Sequence, residues 1–473
     1  MVSNGAMTAT KKPRTAAPPA RPRVDITTAQ KALVLQGGGA LGAYQAGVYA
    51  GVFEKHKTLD WVAGVSIGAV NAALIAGNPP ERRVDRLREF WDLVSSGPTQ
   101  RLPAWWGGDR AALNQWSAAA VAMFGVPGFF EPRRTPALLM GGAAPLLSYY
   151  DTSPLKSTLE RLVDFDRINH CETRFSVGAV NVRTGNSLYF DNTVQRIGPE
   201  HVMASGALPP GFAPVHIDGE DYWDGGIVSN TPLQYVLDMH PRSESLMVLQ
   251  VDLFSARAAM PRTLAETMER QKDITYSSRT RMNTDALASN MNLQQAIADL
   301  IGKLPAALQK DPSVQAVCGQ LNHEPIEIVH LIYRDKPYEL DSKDYEFSRA
   351  SVDEHWDAGL RDIRNTLDHP EWLQSAALPN GVTFNTATGV LSGTPQAGTG
   401  GTYPITFTAT NSAGIANQSF TLTVNGSGFT PGTLITWNGV TYNTTFVSGT
   451  QLTAAIPAAL LVIIGRRLTE LGW

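Results

Sequence analysis

A serine framed by glycines carries the strongest chemical signal in this sequence. Ser66 is the centre of Gly64-Val65-Ser66-Ile67-Gly68, between the apolar run 61–63 and the small-residue run 69–76. These runs predict a buried strand and then a helix packed closely on a sheet. Glycines on both sides suit a sharp strand-to-helix turn, because a Cβ there would collide with neighbouring backbone. Ser66 is therefore a candidate nucleophile, with a purely structural turn as the alternative.

A serine hydroxyl needs a neighbouring group to take its proton before it can attack an ester. The chain has nine histidines, and none has a distinctive setting; His216, near a predicted turn, is the nearest to a candidate. Asp224 is better placed, because it directly precedes two glycines at a turn between apolar stretches. A side chain there can be held rigidly at the end of a sheet. The alternative is an aspartate that only caps its own turn.

A glycine-rich run from Gly37 to Gly42 follows the predicted strand 32–35. It satisfies the dinucleotide-binding pattern G-x-G-x-x-G, and Asp60 lies near where a ribose-binding acid would be expected. However, Asp60 precedes the next predicted strand, whereas that fingerprint needs the acid at the strand's carboxyl end. Val65 and Ser66 stand there instead. Nucleotide binding is therefore the disfavoured alternative.

The three motifs occur in the order found in the patatin-like phospholipase family, which this chain resembles over roughly residues 31–253. As far as about residue 372, it is similar to a longer bacterial branch of that family. The resemblance implies a serine–aspartate dyad in place of a histidine triad. It assigns Ser66 as nucleophile and Asp224 as the general base, with an acyl-enzyme formed on the serine. The implied function is hydrolysis of carboxylic esters of lipids, as a lipase, esterase or phospholipase A.

The resemblance also implies an oxyanion hole, formed by the backbone N–H groups of Gly37, Gly38 and Gly39. It implies neither a metal nor an organic cofactor. One position departs from the family: Leu41 stands where many members carry arginine or lysine. This departure favours a neutral ester or neutral lipid over an anionic phospholipid.

The chain divides by composition into four predicted regions. Residues 1–27 form a disordered basic tail, and residues 28–372 alternate strands and helices, as expected of a three-layer α/β sheet with helices on both faces. Within them, the aromatic-rich stretch 95–150 is a candidate lid or acyl-binding wall, or an irregular excursion that covers the core. Residues 373–425 resemble an immunoglobulin-like β module, and 426–473 part of a second one.

Composition excludes several function classes. The net charge of −4, without a basic aromatic patch, argues against nucleic acid as a partner. The two cysteines show neither metal-ligand nor disulfide spacing. Neither a signal peptide nor a transmembrane span is predicted, which favours the cytoplasm, with membrane contact at most peripheral. The oligomeric state stays open. A competing hypothesis is an inactive lipid- or carbohydrate-binding protein that uses its β module.

Overall fold

The computed structural model describes residues 29–97, 110–133, 147–256, 258, 260–321, 324, 326–334, 338–339 and 341–368, and short stretches between 382 and 456. These residues fall into two compact units, one up to residue 368 and one from residue 382. The predicted tail 1–27 lies outside the described residues. So do residues 98–109 and 134–146 of the candidate lid.

The first unit is built on one large twisted sheet. The strands of this unit are β1 (Gln30–Leu35), β2 (Trp61–Val65), β3 (Glu131–Pro132), β4 (Tyr150–Asp151), β5 (Arg174–Asn181), β6 (Ser187–Asp191), β7 (Val215–Ile217), β8 (Glu220–Asp224), β9 (Leu246–Asp252) and β10 (Ile326–Ile332). Strands β3 and β4 form a separate short pair, and the others form the large sheet. The sheet order is β10-β9-β1-β2-β5-β8-β7, and β6 also pairs with β5. The run from β10 to β5 is parallel, whereas β6, β7 and β8 pair antiparallel.

Helices cover this sheet and connect its strands. They are α1 (Gly42–Glu54), α2 (Ile67–Ala76), α3 (Pro80–Val94), α4 (Arg110–Phe124), α5 (Ser153–Leu162), α6 (Phe165–Asn169), α7 (Pro199–Ser205), α8 (Leu233–Met239), α9 (Leu264–Gly302), α10 (Ala306–Gln309), α11 (Pro312–Cys318) and α12 (Arg349–Leu367). Thr263 begins α9 as an N-cap, since its side chain accepts the Glu266 N–H. Ser348 caps α12 in the same way through Ser351.

Alternation along β1 explains the three layers. Leu33 and Leu35 join a large core with α1, α2, α3 and α12, whereas Ala32 and Val34 face a smaller core that includes Leu233 of α8. Successive side chains of a strand point to opposite faces, so a continuous apolar run buries both sides of a parallel sheet. The predicted α/β class, with helices on both faces, is confirmed.

The predicted strands and helices of this unit match the structure closely. The strand predicted at 32–35 lies within β1, and the strand and the helix predicted on either side of Ser66 are β2 and α2. The stretch 95–150 is more regular than its composition indicates. Its described part contains α4, and β3 pairs with β4 at the end of the stretch.

The second unit is all β where it is described. Its strands are β11 (Val382–Asn385), β12 (Val390–Gly393), β13 (Phe420–Asn425), β14 (Ile435–Trp437), β15 (Val440–Tyr442), β16 (Thr444–Ser448) and β17 (Gln451–Ile456). They pair antiparallel as two hairpins and the three-stranded sheet β13-β17-β16. Across both units, no helix among the described residues combines the length and the apolarity that a membrane crossing needs.

Candidate active site

Ser66 lies at a strained turn between β2 and α2. Its φ of 56° and ψ of −125° place an L-residue in a region that such residues rarely occupy. A Cβ on Gly64 would lie 2.2 Å from the Gly68 carbonyl oxygen, and one on Gly68 would lie 2.4 Å from the Leu35 carbonyl oxygen. The flanking glycines are therefore a steric requirement of the turn. Because α2 begins at Ile67, the positive end of its dipole adjoins the serine.

Ser205, at the end of α7, holds the strained turn in place. The Ser66 N–H donates to the Ser205 carbonyl oxygen at 3.1 Å and to the Ser205 hydroxyl at 3.0 Å. That hydroxyl donates in turn to the Gly178 carbonyl oxygen of β5 at 2.6 Å. No sequence pattern indicates this partner, because Ser205 lies far along the chain in an ordinary helix. Its contacts supply the support that a strained backbone needs.

Asp224 ends β8 and is buried, with 2% of its surface exposed. Its carboxylate accepts a hydrogen bond from the Gly226 N–H at 2.7 Å. Burial without a facing cation raises the pKa of Asp224 to about 7, and the Gly226 N–H and the nearby Ser66 hydroxyl offset only part of that rise. The Asp224 N–H donates to the Ala207 carbonyl oxygen at 3.0 Å, which fixes the backbone. The two residues predicted as nucleophile and base thus lie close together.

The glycine loop after β1 packs directly against this pair. A Cβ on Gly37 would lie 3.0 Å from the Ser66 Cβ. The Gly37 N–H donates to the Asn230 carbonyl oxygen at 3.1 Å, and the Asn230 amide donates to the Gly37 carbonyl oxygen at 2.9 Å. Of the three predicted oxyanion donors, Gly37 is therefore already engaged in this conformation. Among the described residues, the N–H groups of Gly38 and Gly39 have no hydrogen-bond partner.

Two residues that the sequence analysis did not single out, Asn230 and Gln36, hold the glycine loop through their side chains. Asn230 also lies against Gly226, where an added Cβ would be 2.7 Å from its side-chain oxygen, so it connects the loop to the Asp224 turn. Gln36 is fully buried, and its side-chain oxygen accepts the Leu253 N–H at 2.6 Å. Leu41, where many family members carry a cation, is fully buried in the core.

The competing candidates lie elsewhere. His216 is exposed on β7 and pairs with Asp221 at 3.0 Å. In the part of the chain that the structure describes, no histidine hydrogen-bonds to Ser66 or Asp224. Asp60 accepts the Lys31 N–H at 2.8 Å near the start of β1, at the edge of the sheet opposite the glycine loop. It therefore lies away from any ligand held by that loop. The same described residues contain no cluster able to hold a metal ion.

Comparisons with known proteins identify the families of the two regions of the chain. Residues 33–237 match the family model described as "Patatin-like phospholipase", and residues 274–377 match one described as "Patatin phospholipase". Residues 349–425 match a model described as "Putative Ig domain". The chain therefore contains a domain of the patatin-like phospholipase family, followed by an immunoglobulin-like region, and the resemblance found in the motifs is confirmed.

Individual relatives are more distant. A patatin-like phospholipase domain-containing protein of Caenorhabditis elegans is 42% identical over 59 residues, which are 12% of this chain and 5% of that protein. VipD from Legionella pneumophila is 15% identical, with a TM-score of 0.31 over 72% of this chain and 67% of its own. Human GIVD cytosolic phospholipase A2 is 9% identical, with a TM-score of 0.28 over 47% and 45%. Likenesses at such TM-scores carry no weight for the fold, which rests on the sheet described above.

Proposed function

We propose that this protein is a serine acyl hydrolase that cleaves carboxylic esters of lipids through a Ser66–Asp224 dyad. The observation that carries the proposal is that a hydroxyl held at a strained turn lies near a buried carboxylate with no cation beside it. A pKa of about 7 lets Asp224 be ionised at neutral pH and still accept a proton readily. Membership of the patatin-like phospholipase family supports a lipid substrate.

The chemistry follows from the positions of these groups. Ser66 Oγ attacks the acyl carbonyl carbon as its proton passes to Asp224, and the carbonyl electron pair moves onto oxygen. The N–H groups of Gly38 and Gly39 stabilise that oxyanion; losing one such donor typically costs about 10²–10³ in rate. The intermediate collapses, the leaving alcohol takes the proton from Asp224, and an acyl-enzyme remains. Water, deprotonated by Asp224, then releases the acid and restores Ser66.

A neutral ester or neutral lipid is the proposed substrate class. Leu41 places an apolar side chain, fully buried, where many family members have a cation. Lys272 and Lys343, on the elements packed beside the glycine loop, are both paired with carboxylates. These described residues thus provide no uncommitted positive charge for an anionic head group.

We further propose that membrane contact, where it occurs, is peripheral. Large apolar side chains are exposed on α4 and just before β4; they are Trp116, Met123, Phe124, Leu147 and Tyr149. Apolar and aromatic side chains of this kind suit the boundary between lipid and water. This surface lies in the stretch that the sequence predicts as a lid or acyl-binding wall.

The test is hydrolysis of p-nitrophenyl esters of graded chain length, and of a phospholipid, by the wild type, Ser66→Ala and Ser187→Ala. Ser187 is exposed at the start of β6 and serves as the matched control. We expect only Ser66→Ala to lose activity, and a fluorophosphonate probe to label only proteins that retain Ser66. Full activity in Ser66→Ala would disprove the mechanism. A folded but inert wild type that the probe does not label would favour the lipid- or carbohydrate-binding alternative.

A further inference from the structure

The glycine loop is held from outside by the segment 341–347, which lies far beyond the residues that carry the motifs. The Ala40 N–H donates to the Asp344 carbonyl oxygen at 2.7 Å. At Gly39, where φ is +55°, an added Cβ would lie 1.9 Å from the same oxygen. One carbonyl of this segment therefore contacts both residues that follow Gly38. It limits how the peptide groups of the loop can turn.

Two lysines fasten this segment to helix α9. Lys272 donates to the Asp344 carboxylate at 2.7 Å and to the Asp341 carbonyl oxygen at 2.6 Å. Lys343, whose side chain is fully buried, pairs with Asp273 at 2.7 Å and with Glu269 at 3.3 Å. The three α9 residues involved are spaced so that they share one face of the helix. The segment therefore cannot move without breaking charge-assisted bonds.

The same helix also reaches the other end of the loop. The side-chain amide of Gln36, directly before Gly37, donates to the Tyr276 carbonyl oxygen of α9 at 3.3 Å. The Tyr276 ring lies against Phe254, with ring centroids 4.9 Å apart. The first turns of α9 thus support the glycine loop both before Gly37 and after Gly39.

We propose that Lys272 is a positioning residue for the oxyanion hole, acting through Asp344 and Ala40; this inference rests on the proposed function. Lys272 does not reach the reacting atoms. By fixing the Asp344 carbonyl oxygen it fixes the Ala40 N–H, and so the orientation of the Gly38 and Gly39 N–H groups. Such donors stabilise the transition state only when they are held in the right geometry beforehand.

The kinetic test compares Lys272→Met, Lys272→Arg and the control Lys156→Met. Lys156 forms an exposed ion pair with Glu160 on α5. We expect Lys272→Met to lower kcat about tenfold with little change in KM, because it weakens an interaction made only in the transition state. Lys272→Arg should restore most of kcat, and Lys156→Met should match the wild type. An unchanged kcat in Lys272→Met, or a change in KM alone, would overturn the inference. Lys343 is unsuitable, because its removal leaves Asp273 buried without its cation and endangers folding.

A second measurement is independent of activity. Hydrogen exchange of a peptide spanning residues 36–44 reports the Ala40 N–H, which the Asp344 carbonyl oxygen protects. We expect about tenfold faster exchange there in Lys272→Met and no change in Lys156→Met. Unchanged exchange would show that Lys272 does not hold the loop, even if Ser66→Ala proves the hydrolase. If the wild type has no esterase activity and Lys272→Met still exchanges faster than the wild type, the proposed function fails, but the structural link between Lys272 and the glycine loop stands.

Discussion

Two carboxylates lie buried at strand ends of the same sheet, but they differ in their hydrogen-bond and ion-pair partners. Asp191, at the end of β6, is 1% exposed, and Asp224, at the end of β8, is 2% exposed. Asp191 faces Arg174 at 2.9 Å and also accepts hydrogen bonds from Ser176, Thr193 and Tyr235. Among the described residues, the Asp224 carboxylate accepts the Gly226 N–H, lies near the Ser66 hydroxyl and forms no ion pair.

The difference appears in their acidities. Burial pushes up the pKa of Asp191, but the hydrogen bonds from Thr193 and Arg174 outweigh it and leave the pKa below its usual range. Burial raises the pKa of Asp224 to about 7, because its fewer partners do not offset the loss of water. A well-paired buried carboxylate is a structural anion. A buried carboxylate with few partners is a base poised near neutral pH, which is what catalysis needs.

The largest effect that separates the two is on activity. Asp224→Asn should lower kcat/KM for the preferred ester by about 10⁴-fold, because the amide cannot take the proton of the nucleophile. Asp191→Asn should leave kcat of the folded enzyme within about twofold, because Asp191 is outside the proposed catalytic machinery. Steady-state kinetics on both purified variants decides the matter. Equal losses of activity in the two variants would show that the difference in pairing between Asp224 and Asp191 does not identify the general base.

The next effect is on stability. Asp191→Asn should lower the free energy of unfolding at pH 7 by about 3 kcal/mol, since it leaves Arg174 without its buried partner. Asp221→Asn, which removes an exposed carboxylate from β8, should stay within about 0.5 kcal/mol of the wild type. Denaturant unfolding followed by circular dichroism measures both. A loss in Asp191→Asn no larger than in Asp221→Asn would contradict the structural role.

Much of this site could be predicted from sequence because its signals are local. Ser66 and its flanking glycines are adjacent in the chain, and the structure shows the expected steric reason for Gly64 and Gly68. The apolar runs predicted the parallel strands, because a strand that is buried on both faces is apolar along its whole length. Asp224 stood out because it directly precedes two glycines at a predicted turn, whereas Asp191 is followed by Asn192-Thr193.

The supporting contacts could not be predicted, since they join distant segments through ordinary residue types. Ser205 and Asn230 lie in stretches without a recognisable pattern, and their roles come from the bonds to the Ser66 and Gly37 backbones. The Asp344 carbonyl oxygen is a backbone atom, which composition cannot distinguish. That the Gly37 N–H is engaged also depends on tertiary packing. The proposed catalytic residues are thus easier to find in the sequence than the residues that position them.

A third effect is the pH dependence of the reaction. Asp224 must be ionised to accept the serine proton, and burial has raised its pKa to about 7. We therefore expect kcat/KM to be level above that pH and to fall about tenfold for each pH unit below it. Initial rates between pH 5 and 9, corrected with Ser66→Ala for spontaneous hydrolysis, give the profile. A rate that stays level down to pH 5 would mean that Asp224 has an ordinary acidity or is not the base.

The smallest effect is on stability above neutral pH, where Asp224→Asn and Asp191→Asn should change the free energy of unfolding in opposite directions. The unfolded chain ionises Asp224 at about pH 3.9, whereas the folded chain keeps it protonated up to about pH 7. Between these values the native state holds the extra proton, so this group makes the wild type less stable as the pH rises. The Asp224→Asn variant has no carboxyl to titrate at this position, and it should therefore be more stable than the wild type by about 2 kcal/mol at pH 8, with the gain vanishing near pH 4.

Asp191→Asn should destabilise the protein at pH 8, because a carboxylate with a lowered pKa contributes its stability at pH values above its ordinary pKa. Urea unfolding of both variants at pH 4 and pH 8 measures the two signs. If Asp224→Asn were less stable than the wild type at pH 8, the ionised carboxylate would be as well accommodated as that of Asp191, and the contrast between them would fail.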